Sequence, residues 1–277
     1  MLTGNTIVNQ FNETIWKKFL KGLKTYQLIE NGDKIAVCIS GGKDSMIMAK
    51  CMQRWQRYGN IDFEVVFIVM NPGYNDGNVL KIKENVKLLD LPVQYFDTKI
   101  FESVAKEKNN PCFLCSRLRR GYLYKTAQEL GCNKIALGHH FDDVIETILM
   151  GMFYGSQMQT MMPKIHSENY SGMEVIRPLY LVREENILQW AELNGLQFID
   201  CACSVTEANS LKSSKRQEIK NLLKQLRQVN TEVDMNIFRS AENVNLQTLI
   251  SYHIGDEYHH FLDNYSDGRS VRGTKKI

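Results

Sequence analysis

The hexapeptide Ser40-Gly41-Gly42-Lys43-Asp44-Ser45 constrains this chain more than any other stretch. It follows the apolar run Ile35 to Ile39 and precedes an apolar pattern at helical spacing, so it reads as a tight loop between a strand and a helix. Two adjacent glycines let the backbone come close to a bound group. The hydroxyls of Ser40 and Ser45, with the amides of the helix N-terminus, donate toward one point. Such a point binds an anion, and phosphate suits it best. The spacing excludes a Walker A loop, which places four residues between its first glycine and its Gly-Lys pair. Lys43 and Asp44 are expected to be exposed at the strand end.

Strand-length runs at Lys34 to Ile39, Glu64 to Met70, Pro92 to Asp97 and Lys134 to Leu137 alternate with helical patterns at Asp44 to Tyr58, Asn78 to Leu89 and from Pro111 to Leu130. This alternation predicts an α/β fold, a doubly wound parallel sheet whose ligand lies outside the carboxyl ends of the strands. Ser40 and Gly138 both sit at such ends. An amphipathic helix from Ile7 to Leu28 precedes the first strand. Farther on, Gly155 to Tyr170 reads as a mobile, Met-rich loop, Val175 to Leu179 as a last short strand, Arg183 to Asn194 as a helix and Leu196 to Asp200 as an extended piece.

At 277 residues and 43% hydrophobic content the chain can bury one large core. No apolar run reaches membrane-span length and the N-terminus lacks signal-peptide order, so a cytoplasmic protein without a membrane partner is expected. The net charge of +3 excludes a polyanion binder by composition alone. Charge is nonetheless concentrated: Lys212, Lys215, Arg216, Lys220, Lys224 and Arg227 face only Glu218, a patch able to meet RNA.

Cys38, Cys51 and Cys132 fall in packing or turn positions, which leaves Cys112, Cys115, Cys201 and Cys203. Cys112 and Cys115 stand three apart at a helix start, where the dipole lowers thiol pKa. Zinc, an iron-sulfur cluster and a redox pair are equally compatible with those residues. A third element is Gly138-His139-His140-Phe141-Asp142-Asp143-Val144-Ile145-Glu146-Thr147, which follows a strand and opens a helix toward the same crevice. Its carboxylates at Asp142, Asp143 and Glu146 suit Mg²⁺.

Together, Ser40 to Ser45, Cys112-x-x-Cys115-x-x-x-Arg119-Arg120-Gly121, and Lys134 to Thr147 resemble, in order and spacing, the successive motifs of the tRNA 2-thiocytidine synthetase (TtcA) family of PP-loop ATP pyrophosphatases. The resemblance spans roughly residues 10 to 225. It implies the adenine nucleotide alpha hydrolase-like PP-loop fold, with the ATP pyrophosphatase domain at 31–203. The residue pattern itself adds an N-terminal helix (residues 1–30), a basic helix packed on the core (204–230) and a C-terminal, partly disordered extension (231–277). ATP would bind on Ser40, Gly41, Gly42, Lys43, Asp44, Ser45, Gly138 and His139, its adenine near Val69 and Asn71. Mg²⁺ would sit among Asp44, Asp142 or Asp143, and Arg119 joins these as a catalytic residue.

The family also implies a 4Fe-4S cluster on Cys112, Cys115 and a late cysteine, either Cys203 or Cys201. The activity implied is adenylation of a cytidine at position 32 of the tRNA anticodon loop and replacement of its 2-oxygen by sulfur. The sulfur donor would be a cysteine desulfurase or inorganic sulfide, and a homodimer is expected. The target base would stack on Phe113 or Phe141, with Arg119, Arg120 and the basic helix on the RNA backbone. Two rival readings stay open: another PP-loop RNA-modifying, amide- or lysidine-forming enzyme, and a non-catalytic iron-sulfur nucleotide sensor.

Overall fold

Alternation along the first strand sets the architecture. The computed structural model describes residues 3–105, 107, 111–199 and 214–267, and it places Lys34–Ile39 (β1) inside a six-stranded sheet. Ile35, Val37 and Ile39 enter a core cluster on one face, whereas Ala36 and Cys38 enter a second cluster on the other. A strand buried on both faces needs helices on both faces.

Around β1 the chain runs through Thr3–Asn9 (α1), Lys17–Thr25 (α2), Lys43–Tyr58 (α3), Glu64–Asn71 (β2), Asp76–Leu88 (α4), Val93–Asp97 (β3), Ile100–Val104 (α5) and Pro111–Glu129 (α6). It continues through Lys134–Ala136 (β4), Phe141–Gly155 (α7), Lys164–His166 (β5), Glu174–Ile176 (β6), Glu184–Leu193 (α8), Lys215–Val229 (α9) and Val233–Ser240 (α10). A hairpin of Ser251–Ile254 (β7) and Glu257–His260 (β8) follows. The sheet order is β3-β2-β1-β4-β6-β5, parallel throughout except for the β5 and β6 pair. Strands are added outward from β1 to β3 and then on the opposite side at β4. The switch point, where a doubly wound sheet opens its ligand crevice, therefore lies between β1 and β4.

Three expectations are corrected. The leader is not one helix: a π-helical turn at Asn12–Trp16 separates α1 from α2, and Ile7 before it, Ile15 within it and Phe19 after it are fully buried. The Met-rich segment after Gly155 contains β5, an edge strand of three residues whose short, half-polar pattern carries no period-2 signal. The last parallel strand ends at Ile176 rather than Leu179.

Helix α3 delivers Met46, Met48 and Met52 to the main core, where Phe19 and Trp190 are also fully buried. A separate cluster joins Val144, Ile145 and Ile148 of α7 to Ile219 and Leu223 of α9 and Phe238 of α10. This second cluster seats the basic helix against the helix that opens at the crevice.

Candidate active site

Between Ile39 and Lys43 the chain must turn from sheet to helix within three residues. Gly41 has φ +88°, and a Cβ there would stand 2.8 Å from the Ile82 side chain, so glycine is required by both conformation and space. Ser45 Oγ donates to the Gly42 carbonyl at 2.8 Å and accepts from the Ser40 backbone N–H at 3.1 Å, which braces the loop across its mouth. A Cβ on Gly138 would lie 3.0 Å from the backbone of Asp44 and Ser45. Only glycine lets the end of β4 touch the start of α3.

A cleft of about 830 Å³ opens over these strand ends. Ser40, Gly42, Asp44 and Ser45 form one wall, Gly138, His139 and Asp143 a second, and Cys112, Cys115, Ser116, Arg119 and Arg120 a third. The third wall is one face of α6, since those positions recur at three and four residues. Tyr74 also lines a smaller cavity of about 200 Å³ with Val69, Asn71, Ile82, Tyr95 and Asp97. The two spaces share the Tyr74 ring as a wall.

Burial raises the pKa of Asp44 and Asp143 adds to the rise, while His140 and Lys43 oppose it. Asp44 Oδ2 accepts from Lys43 Nζ at 3.1 Å, but its Oδ1 is buried without a hydrogen-bond partner, 3.7 Å from His140 Nε2. Asp143 Oδ2 accepts the His140 backbone N–H at 3.1 Å. An orphaned carboxylate oxygen beside a second carboxylate fits a hard divalent cation such as Mg²⁺. Among the described residues no three His, Cys, Asp or Glu side chains converge as a metal site, so other ligands would have to complete the shell.

His139 is pushed down to about 4 by burial and by the Arg177 charge, and its buried Nδ1 has no hydrogen-bond partner. A neutral imidazole on the cleft wall can donate or accept but adds no charge. The Arg119 guanidinium lies 5.5 Å from the centre of the Phe101 ring and 6.0 Å from that of Tyr74, whose hydroxyl donates to the Ser40 carbonyl at 3.3 Å. The arginine is thus held by rings that are themselves tied to the loop.

Several expected site residues lie elsewhere. Gly41 and Lys43 are not on the cleft wall; Lys43 Nζ is engaged by Asp44 and, at 2.9 Å, by Glu184 Oε1. The side chains of Lys43 and Asp44 are only 20% and 29% exposed, so neither stands open at the strand end. Asp142 is buried and turned away, accepting from Arg227 at 3.0 Å and from the Glu184 backbone N–H at 2.8 Å, with Arg183 at 3.3 Å. Asp143 is the carboxylate of that pair on the cleft. Phe141 is packed against Phe238 and is unavailable to a base, whereas Phe113 is exposed.

The basic helix is likewise less open than its composition predicts. Arg216 pairs with Asp143 and Glu146, Lys220 with Glu146 and Glu184, and Arg227 with Asp142 and Asp234. Lys215 lies over the Tyr154 ring, and Lys224 is exposed. Cys201, Cys203 and Lys212 lie outside the described residues. Sequence reasoning missed Glu184, because an acidic residue in the first turn of a helix ordinarily reads as dipole complementarity.

Residues 11–226 match the model of a PP-loop domain family. The chain is 34% identical over 273 residues to the tRNA-cytidine(32) 2-sulfurtransferase of Alcanivorax borkumensis, covering 98% of this chain and 93% of that one. The chain belongs to this family. A second member, from Paraburkholderia phytofirmans, is 37% identical over 242 residues, which cover 85% of this chain and 70% of the relative. The U34-tRNA thiolase NcsA from Methanococcus maripaludis, solved with its 4Fe-4S cluster, shares the fold with a TM-score of 0.64 at 22% identity, covering 82% of this chain and 76% of that structure. The phosphate loop, the Cys112 and Cys115 pair and the Gly138 to Thr147 segment all fall inside the span matched to the PP-loop family.

Proposed function

We propose that this chain is an ATP-dependent tRNA sulfurtransferase that adenylates a cytidine, at position 32 of the anticodon loop, and replaces its 2-oxygen by sulfur. The observation that carries this reading is a single cleft walled by the phosphate loop on one side and by Cys112 and Cys115 on the other, in a member of the tRNA-cytidine(32) 2-sulfurtransferase family. An amide- or lysidine-forming enzyme has no use for thiols at that position.

ATP phosphates rest on the loop amides and the Ser40 hydroxyl, the Ser45 hydroxyl being engaged by the Gly42 carbonyl, and the adenine lies toward Val69 and Asn71 in the smaller cavity. The base oxygen attacks the α-phosphorus, the bond to the bridging oxygen breaks, and pyrophosphate leaves. Asp44 and Asp143 would hold Mg²⁺ against the departing charge, and Arg119 adds a fixed positive group. His139, neutral and with an unmatched nitrogen, is available to the edge of the base.

Cys112 and Cys115 on one face of α6 suit two ligands of a 4Fe-4S cluster, with Cys203, or Cys201, supplying the third. Such a cluster, when bound, would supply an iron able to hold sulfide-level sulfur beside the activated carbon, where the C–S bond would form as the C–O bond breaks and AMP leaves. The sulfur comes from a cysteine desulfurase or from inorganic sulfide. We also assign residues 31–203 to the catalytic unit of a cytoplasmic homodimer. No helix among the described residues is long and apolar enough to cross a membrane.

Pyrophosphate release stimulated by an anticodon stem-loop containing the target cytidine, with 2-thiocytidine recovered by nucleoside mass spectrometry, tests the reading. Turnover of ATP without thiolated nucleoside would favour the amide-forming alternative, and no turnover would favour a sensor.

A further inference from the structure

Glu184 lies outside the cleft wall, yet it touches two separate parts of the machinery. Its Oε1 accepts from Lys43 Nζ at 2.9 Å and its Oε2 from Lys220 Nζ at 3.2 Å. Its main chain is fixed as well, because its backbone N–H donates to Asp142 Oδ2 at 2.8 Å and Asp142 is in turn held by Arg183 and Arg227. Lys43 passes this constraint on. The same ammonium that meets Glu184 donates to Asp44 Oδ2 at 3.1 Å, which leaves Asp44 Oδ1 as the unpartnered oxygen.

A carboxylate gripped at one oxygen by an ammonium has lost the rotation that would exchange its two oxygens. Lys43 can grip Asp44 in this way only if its own long, flexible chain is anchored, and Glu184 is the anchor. Burial would raise the Glu184 pKa, but the hydrogen bond and charge of Lys43, with the charge of Lys220, hold it at about 2, so it is ionised throughout the working range. The pair is more than a solvated surface bridge, since the two side chains are 20% and 25% exposed and a third charged partner, Lys220, closes the network.

Resting on the thiolation reading above, we propose that Glu184 is a positioning residue for ATP cleavage: it sets Lys43 so that Asp44 keeps Oδ1 uncommitted in the cleft. Through Lys220 it also makes the loop geometry depend on α9 being docked. The chain thereby ties the phosphate loop to a helix that follows the catalytic domain in sequence.

The test uses the full chain, with pyrophosphate release measured in the presence of an anticodon stem-loop. Glu184→Gln removes the charge and keeps the size, Lys43→Met removes the ammonium, and the double variant removes both. Because the effect is exerted through a ligand's partner, each single change should lower kcat by roughly 10- to 100-fold, with KM for ATP within about twofold. The double variant should be no worse than the weaker single, the signature of residues acting as one unit. Glu184→Asp should restore part of the loss, while thermal midpoints stay close to wild type.

Unchanged kcat in Glu184→Gln, additive losses in the double variant, or a loss that follows thermal stability alone would each overturn the proposal. A wild-type chain that cleaves no ATP overturns the thiolation reading and this inference with it. Wild-type turnover matched by Glu184→Gln overturns the inference alone.

Discussion

Arg227 Nη2 donates to Asp142 Oδ1 at 3.0 Å, and Asp142 is not part of the cleft wall. Arg183 closes the same cluster by pairing with Asp142 and, at 2.6 Å, with Asp234, so the starts of α7 and α8 are bound to α9 and α10. Adjacent aspartates therefore occupy different surroundings, one tied to the arginines of neighbouring helices and the other lining the cleft.

Asp142→Asn should lower unfolding free energy toward the low end of roughly 3–5 kcal/mol, because it leaves two arginines with one carboxylate between them. Asp143→Asn keeps an acceptor for the His140 N–H, so its stability should change by less than about 1 kcal/mol. Activity should show the opposite order, with Asp143→Asn losing pyrophosphate release while still folded. Urea titration beside turnover separates them, and equal stability of the two variants would refute the division.

Leu223 is 1% exposed in the cluster that seats α9 on α7. Leu223→Ala should cost about 2–5 kcal/mol, and ATP cleavage should fall with it because Lys220 and Arg216 lose their places. Full activity in a destabilised Leu223→Ala chain would show that α9 docking is irrelevant to catalysis.

The Glu184 carboxyl is held at about 2 against an ordinary 4.5. A depressed folded-state pKa means its contribution to stability is fully present above the unfolded value and is lost as pH falls through the folded one. The stability difference between wild type and Glu184→Gln should therefore be constant above about pH 5 and shrink between 4.5 and 2. Asp44 and Glu146, whose pKa values are raised by burial, act in the opposite sense, so the comparison must be made between the two chains and not on wild type alone. A difference independent of pH across that window would contradict the ion pair.

Cys112→Ala, Cys115→Ala and Cys203→Ala should each abolish the broad visible absorption of anaerobically prepared protein together with thiolation, while Cys201→Ala keeps much of both. A cluster that keeps one iron open takes three thiolates, so one of the late pair is enough beside Cys112 and Cys115. The reverse result would move the ligand to Cys201, and retention in the double variant would remove the cluster from the mechanism.

The doubly wound sheet was legible because its signals are local: apolar runs of strand length, helical spacing between them, and turn residues at the joints. The phosphate loop was legible for the same reason, since Gly41 and Gly138 answer to backbone geometry within a few residues or across one strand pair. Edge strand β5 and the π-helical break at Asn12–Trp16 were not, because each depends on partners remote in sequence or on how a helix must bend to bury both Ile7 and Ile15.

For the site, residue type and order determined that phosphate, thiols and carboxylates would meet at one crevice. Only the tertiary structure decided which carboxylate faces it, that Phe141 is spent on Phe238, and that Arg216, Lys220 and Arg227 hold their own chain's acids. A charge written in a sequence states what a side chain can attract. Which partner it takes depends on desolvation and distance, and those are set by the packing of α9 and α10 on α7, which no local pattern encodes.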